Sequence, residues 1–188
     1  MNLIEDQTFK DIDFTTERLE IAEYEMCAFL GCNFSSSDLS RMKFSECTFE
    51  NCDLSMANVS DTAFKDVQFA ECKLLGLHFD YCNPFLFEIH CDNCLLNLAS
   101  FYKVNVKRSS FKSCSLQEVD FSAADLSKLK FQDCDLVKAI FDNTNIEYVD
   151  FKTAKNFSID LRKNKIKKAK FSKDGISGLL DSFDIEIS

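Results

Sequence analysis

Glycine and proline are scarce: the 188 residues include four Gly and one Pro. A β-sandwich or barrel needs more turn punctuation than that, and a flexible linker has no raw material here. No apolar run approaches the roughly 20 residues that span a bilayer as a helix. The opening MNLIEDQTFK has no basic stretch followed by an apolar one, so neither a signal peptide nor a membrane association is expected. Histidine is limited to His78 and His90, neither in a recognisable motif. There is no serine nucleophile elbow and no glycine-rich phosphate cradle. Carboxylates are plentiful, but nothing singles out two of them as an acid and a base. The sequence therefore points away from an enzyme, and it calls for no cofactor. What it does contain is 20 Phe and 10 Cys within 46% apolar residues, which argues against disorder. The length suits one domain with a short appendage.

The charge is uneven. Residues 1–80 carry 16 acids and 6 bases, a net of −10; residues 81–161 carry 11 and 9, a net of −2; residues 162–188 carry 4 and 7, a net of +3. The overall −9 should repel phosphates, so direct nucleic-acid binding is not expected. An acidic half either keeps a β-rich surface soluble or meets a basic partner.

The dominant signal is a period of five. Stepping from Phe9 meets Phe14, Leu19, Tyr24, Phe29 and so on to Phe79; after a slip of two residues the rhythm resumes at Leu86 and runs to Phe171. Of these 33 positions 31 are large and apolar, Cys91 and Asn156 being the exceptions, and 16 of the 20 Phe lie on them. A step of 72° matches neither an amphipathic helix nor a half-buried strand. If each pentad forms one side of a box, one residue per side points to the axis. Four sides then make a coil of 20 residues, and stacked coils pair as parallel strands about 4.8 Å apart. Residues 20 apart should stack, as in the columns Phe9/Phe29/Phe49/Phe69, Phe111/Phe131/Phe151/Phe171 and Val106/Leu126/Ile146/Ile166.

Two residues before each central position, 23 of 33 residues are Ala, Cys, Ser, Thr or Val. A dense interior beside Phe needs small partners there. The residue just before the centre is often Asp or Asn, as at Asp53, Asn58, Asp120, Asp125, Asp135 and Asn145. Such side chains cap backbone groups where the chain turns.

The segments Ala124-Asp125-Leu126-Ser127-Lys128, Ala57-Asn58-Val59-Ser60-Asp61 and Cys134-Asp135-Leu136-Val137-Lys138 resemble the A(D/N)LXX pattern of the pentapeptide-repeat family, over about residues 7–173. The resemblance implies an all-β, right-handed quadrilateral parallel β-helix, here of about eight coils. This chain departs by favouring Cys over Ala and Phe over Leu, and by its register slip.

Eight of the cysteines, Cys27, Cys32, Cys47, Cys52, Cys72, Cys94, Cys114 and Cys134, fall in the small inward slot, and Cys91 is itself central. They read as buried free thiols acting as small hydrophobes, and so imply a reducing, cytoplasmic setting. Cys91-Asp92-Asn93-Cys94 is a lone CxxC with no second pair, so no metal centre is assigned to it.

Two segments break the pattern. Residues 80–85 carry the slip, and Pro84 cannot donate to a ladder; a protruding loop bearing Tyr81, Pro84, Phe85 and Phe87 is expected, with folding back over a local gap as the alternative. Residues 162–173, RKNKIKKAKFSK, keep Ile166, Ala169 and Phe171 in inward slots, as a last coil with a basic outer face. In the tail, 174–188, Ile176, Leu179, Leu180 and Phe183 follow at helical spacing, and Ile185 and Ile187 alternate like a strand. A β-helix must cover its open end, and the tail could do so as a cap or by pairing with a second copy. This short helix and strand resemble the C-terminal dimerisation module of the Qnr-type topoisomerase-protecting proteins. That resemblance implies a homodimer through Ile176, Leu179, Leu180, Phe183 and Ile185. Two functions are expected: a rigid, non-enzymatic protein-interaction scaffold, or a DNA mimic that binds DNA gyrase or topoisomerase IV and modulates fluoroquinolone susceptibility.

Overall fold

The computed structural model describes residues 1–183, 185 and 186. The chain winds as a right-handed parallel β-solenoid of about seven turns. One sheet contains β1 (Asn2–Glu5), β3 (Ala22–Glu25), β5 (Lys43–Ser45) and β7 (Ala63–Lys65), stacked in that order. The other contains β2 (Thr8–Lys10), β4 (Ala28–Leu30), β6 (Thr48–Glu50), β8 (Val67–Ala70), β9 (Ile89–Asp92), β10 (Ser110–Lys112) and β11 (Phe131–Gln132). The other two sides of the box pair through single parallel bridges, such as Asn33↔Asp53 and Asp38↔Asn58. The expectation of about eight coils is slightly high; the last rungs at the C-terminal end close by single bridges, as at Asp150↔Lys170.

The interior is a stack of rings. Phe9/Phe29, Phe29/Phe49 and Phe49/Phe69 lie parallel, their centroids 4.8, 4.6 and 5.1 Å apart. Rings on adjoining sides meet edge to face, as Phe44 and Phe49 do at 5.4 Å and 73°. Both geometries are favoured by the aromatic quadrupole, and centroids this close leave no axial channel. The ring column is interrupted at Cys91, which pairs with Phe69 below and Phe111 above.

Two local features let a five-residue side close. The Asp or Asn before the centre accepts the backbone N–H two residues on: Asn33 from Ser35 at 3.0 Å, Asp53 from Ser55 at 2.9 Å, Asp120 from Ser122 at 2.8 Å. Many corners place a residue at positive φ two positions after the centre, for example Met26, Arg41, Met56 and Lys128. Outside glycine this conformation costs about 1–2 kcal/mol. It is offset because each of these N–H groups donates to the next coil: Met26 to the Ser45 carbonyl at 3.0 Å, Arg41 to Ser60 at 2.9 Å, Lys128 to Glu147 at 2.9 Å. A chain with four glycines can therefore turn corner after corner.

The periodic reading errs at three places. Leu86, expected to face inward, is exposed at positive φ, and Phe87 is buried in its stead. Asn156 likewise turns outward, and Phe157 packs between Phe151 and Phe171, each at 5.6 Å. Ile166 is exposed, because no further coil covers that side of the rod. Among the described residues of the tail the helical spacing yields two short 3₁₀ turns, Ile176–Leu179 and Asp181–Phe183, and no α-helix. Ile185 and Glu186 form no strand, and Ile187 lies outside the described residues.

Candidate protein-interaction surfaces

With the interior filled, the rod can recognise a partner only through its outside. Its long faces are laced by ion pairs between adjacent coils: Lys43 to Glu23 at 3.2 Å, Lys73 to Asp53 at 3.5 Å, Lys112 to Asp92 at 2.7 Å. These vertical pairs leave the acid excess of residues 1–80 on the N-terminal coils, where Asp6, Asp11, Glu17, Glu20, Glu46 and Asp61 are exposed. Hydrogen bonds hold several corner acids in the charged form. The Thr15 hydroxyl and N–H lower the Asp13 pKa, and Ser40 does the same for Asp38.

The loop at the slip divides the predicted residues. A 3₁₀ turn spans Phe79–Tyr81, and Tyr81, Pro84 and Phe85 stand outside, Phe85 at 67% exposure. Phe87 does not protrude. It is 4% exposed and meets the Phe79 ring edge-on at 5.9 Å. Two inserted residues create a gap in the wall, and Phe87 fills it. The Phe79 ring stacks on Phe101 at 4.6 Å across the insertion, so the core passes the loop unbroken.

The tail covers the last coil. Leu179 joins the core, while Ile176, Phe183 and Ile185 remain exposed and Leu180 is half-buried. Gly178 makes this docking possible: a methyl group there would overlap the carbonyl oxygen of Phe157. The Ile159 N–H donates to the Gly178 carbonyl at 2.8 Å, so the tail adds a backbone bond to the rod. Phe183 carries the Arg162 guanidinium over its ring at 4.8 Å, and Asp160 accepts from Arg162 Nε and Nη2 at 3.0 and 2.9 Å. A depression of about 630 Å³ lies beside this seam, with Asp133, Lys152, Phe157 and Asp181 in its wall.

The ten cysteines are free and buried, Cys91 and Cys94 included. Burial pushes Cys47 up to about 12, the behaviour of a packing group. One cluster escaped the sequence reading: His90 lies beside Asp66 and Glu88. Its signal was the slip itself, because a 22-residue offset pairs Val67 with Ile89 and so brings residues 66 and 88 to the same corner.

Among the described residues no helix is long and apolar enough to cross a membrane. The profile described as "Pentapeptide repeat region" matches residues 22–84 and 85–171. No curated protein sequence matches the chain. Among solved structures, HetL, a pentapeptide repeat protein involved in heterocyst differentiation regulation from the cyanobacterium Nostoc sp. strain PCC 7120, is similar at TM-score 0.73 and 14% identity, over 91% of this chain and 86% of that one. A trypsin-treated variant of QnrB1, a plasmid-mediated fluoroquinolone resistance protein, is similar at TM-score 0.64 and 18% identity over the whole of both chains. Full-length QnrB1 gives 0.57 and 18%, over 98% of this chain and all of that one. At these identities the likeness is one of fold. The repeat, the four-sided coil and the profile match over most of its length agree that the chain belongs to the pentapeptide-repeat family.

Proposed function

We propose that the protein is a rigid, non-enzymatic scaffold that binds a protein partner through its outer faces. The observation that carries this reading is the solid interior: stacked rings occupy the axis, leaving no enclosed space for a substrate. The buried free thiols favour a reducing, cytoplasmic setting. A second copy joins at the C-terminal end, where Ile176, Phe183 and Ile185 stay exposed beside a docked Leu179. Light scattering tests this arrangement. Phe183→Asp should halve the mass while circular dichroism still shows a folded rod, and a wild-type monomer would refute the dimer. Leu179→Asp is a poor probe, since that side chain belongs to the core and its loss uncovers the last coil.

A second reading is a DNA mimic acting on a type II topoisomerase. The net −10 of residues 1–80 and the likeness of the fold to QnrB1 support it. Against it stands the basic 162–173 segment, which lies near the proposed seam. A gyrase supercoiling assay with and without a fluoroquinolone separates the two readings. Relief of inhibition at micromolar protein favours the mimic. No effect, together with capture of a different protein in a pull-down, favours a scaffold for another partner.

A further inference from the structure

The register slip gathers three metal-ligating side chains on the outside of the larger sheet. Asp66 lies at the corner between β7 and β8, and Glu88 immediately precedes β9. The residues that follow them, Val67 and Ile89, are ladder partners, so two carboxylates share one corner on consecutive coils. Like charges so placed across neighbouring strands repel. His90 brings its ring to the pair: Nε2 is 3.3 Å from Asp66 Oδ1 and 3.5 Å from Glu88 Oε1. All three ligand atoms lie within 4.8 Å of one another. We propose that Asp66, Glu88 and His90 bind a divalent first-row transition-metal ion, with Zn²⁺ the best fit, and that the ion ties the coil before the slip to the coil after it.

Three observations support this site. In a tetrahedral complex with bonds of about 2.0–2.1 Å, neighbouring ligand atoms stand about 3.3–3.4 Å apart, close to the two Nε2–oxygen separations. Two of the three ligands are already held from outside, as second-shell groups hold them in metal sites. His90 Nδ1 lies 2.9 Å from Ser110 Oγ, and Arg108 Nε donates to Glu88 Oε2 at 2.7 Å. In the tautomer whose Nδ1–H donates to Ser110 Oγ, Nε2 presents a lone pair beside two carboxylate oxygens, a set that converges on a cation. The donors are one imidazole and two carboxylates, which suit zinc and its neighbours better than a soft ion. Glu88 is largely sheltered and Asp66 is open to solvent, so water can complete the coordination. The same contacts would also be satisfied by an imidazolium bridging the two carboxylates, and the experiment separates the two.

The full chain is stripped with a chelator and titrated with Zn²⁺, and with Co²⁺ for its spectrum. The expected result is one equivalent bound, with cobalt d–d bands and no thiolate-to-metal charge transfer. His90→Gln and Asp66→Asn should each weaken binding by at least about tenfold, and Ser110→Ala by about tenfold through the freed ring. Added Zn²⁺ should raise the melting temperature of the wild type and leave that of His90→Gln unmoved, as binding to the folded state alone requires. Circular dichroism confirms that the variants fold, and should one of them fail, the other still reports. Absence of saturable binding with a doubly protonated His90 ring in ¹⁵N spectra at neutral pH, equal binding in His90→Gln, or a thiolate band would each overturn the site.

Discussion

The Cys72 thiol donates to the carbonyl oxygen of Phe49, 23 residues earlier, at 3.3 Å. The same step recurs at Cys52 to Phe29 (3.2 Å), Thr62 to Leu39 (2.8 Å) and Thr144 to Phe121 (2.8 Å). The small inward slot thus selects for compactness: Cys, Ser and Thr there also donate to the coil below, while Ala and Val fill it by size alone. Cys72→Ser should stay within about 1 kcal/mol of the wild type. Cys72→Ala should cost about 1–2 kcal/mol, from the lost bond and the small void. Denaturant unfolding checks both, and equal losses in the serine and alanine variants would show that volume alone governs the slot.

The two loop phenylalanines should behave oppositely. Phe85 is outside, so Phe85→Ser should shift stability by no more than about 0.5 kcal/mol. Phe87 plugs the wall beside Phe79, so Phe87→Ala should cost about 3–5 kcal/mol. Thermal melts of the two variants are enough to tell.

Lys128 sits at φ 71° and donates its N–H to the Glu147 carbonyl. Proline would reverse the sign of φ and delete the donor, at a cost of about 3 kcal/mol or more. Glycine removes the left-handed strain and adds back unfolded-state entropy. Lys128→Gly should therefore be neutral or more stable by up to about 1 kcal/mol, although it trims a side chain. Chemical denaturation of the two variants gives the contrast.

Stability should fall away on both sides of neutrality. Asp13 and Asp38 are lowered by the hydroxyl and N–H of Thr15 and Ser40, and Asp160 falls to about 2 through its bonds from Arg162. Groups lowered on folding contribute above the unfolded carboxylate value near 3.8, and that contribution disappears as pH falls through their folded values. On the alkaline side burial raises Cys32, and raises Cys47 to about 12. A raised thiol favours the folded state below the unfolded value of 9.0. Unfolded thiolates then erode stability as pH climbs from there toward 12. Denaturation midpoints between pH 2 and 11 should trace this plateau, and a thiol reagent at pH 8 should label the folded chain slowly and the denatured chain at ten sites.

Phe29 and Phe49 show how much of the fold is legible in the sequence. A five-residue period permits one inward side chain per side, and identical residues 20 apart leave one way to stack them. The Asx bonds at Asp53 and Asp120 were equally legible, since they span only two residues. Leu86 and Phe87 were not: two adjacent apolar residues flanking an insertion both fit the pattern, and only the gap left in the wall decides which one turns in. Asn156 and Phe157 repeat that ambiguity near the open end. In the tail, Leu179 docks and Phe183 stays out, a division set by the close approach of Gly178 to Phe157.

The sequence by itself determined the coil, its ring columns and its slot of small side chains, because each follows from a strict local period. The tertiary structure decided what happens where the period lapses: the inward turn of Phe87, the seating of the tail, and the meeting of Asp66, Glu88 and His90. Those outcomes depend on how many residues the chain inserts between rungs and on which side chain then fits the space. Where the period lapses, no repeat fixes which side chain faces inward, and the packing of the neighbouring coils decides it.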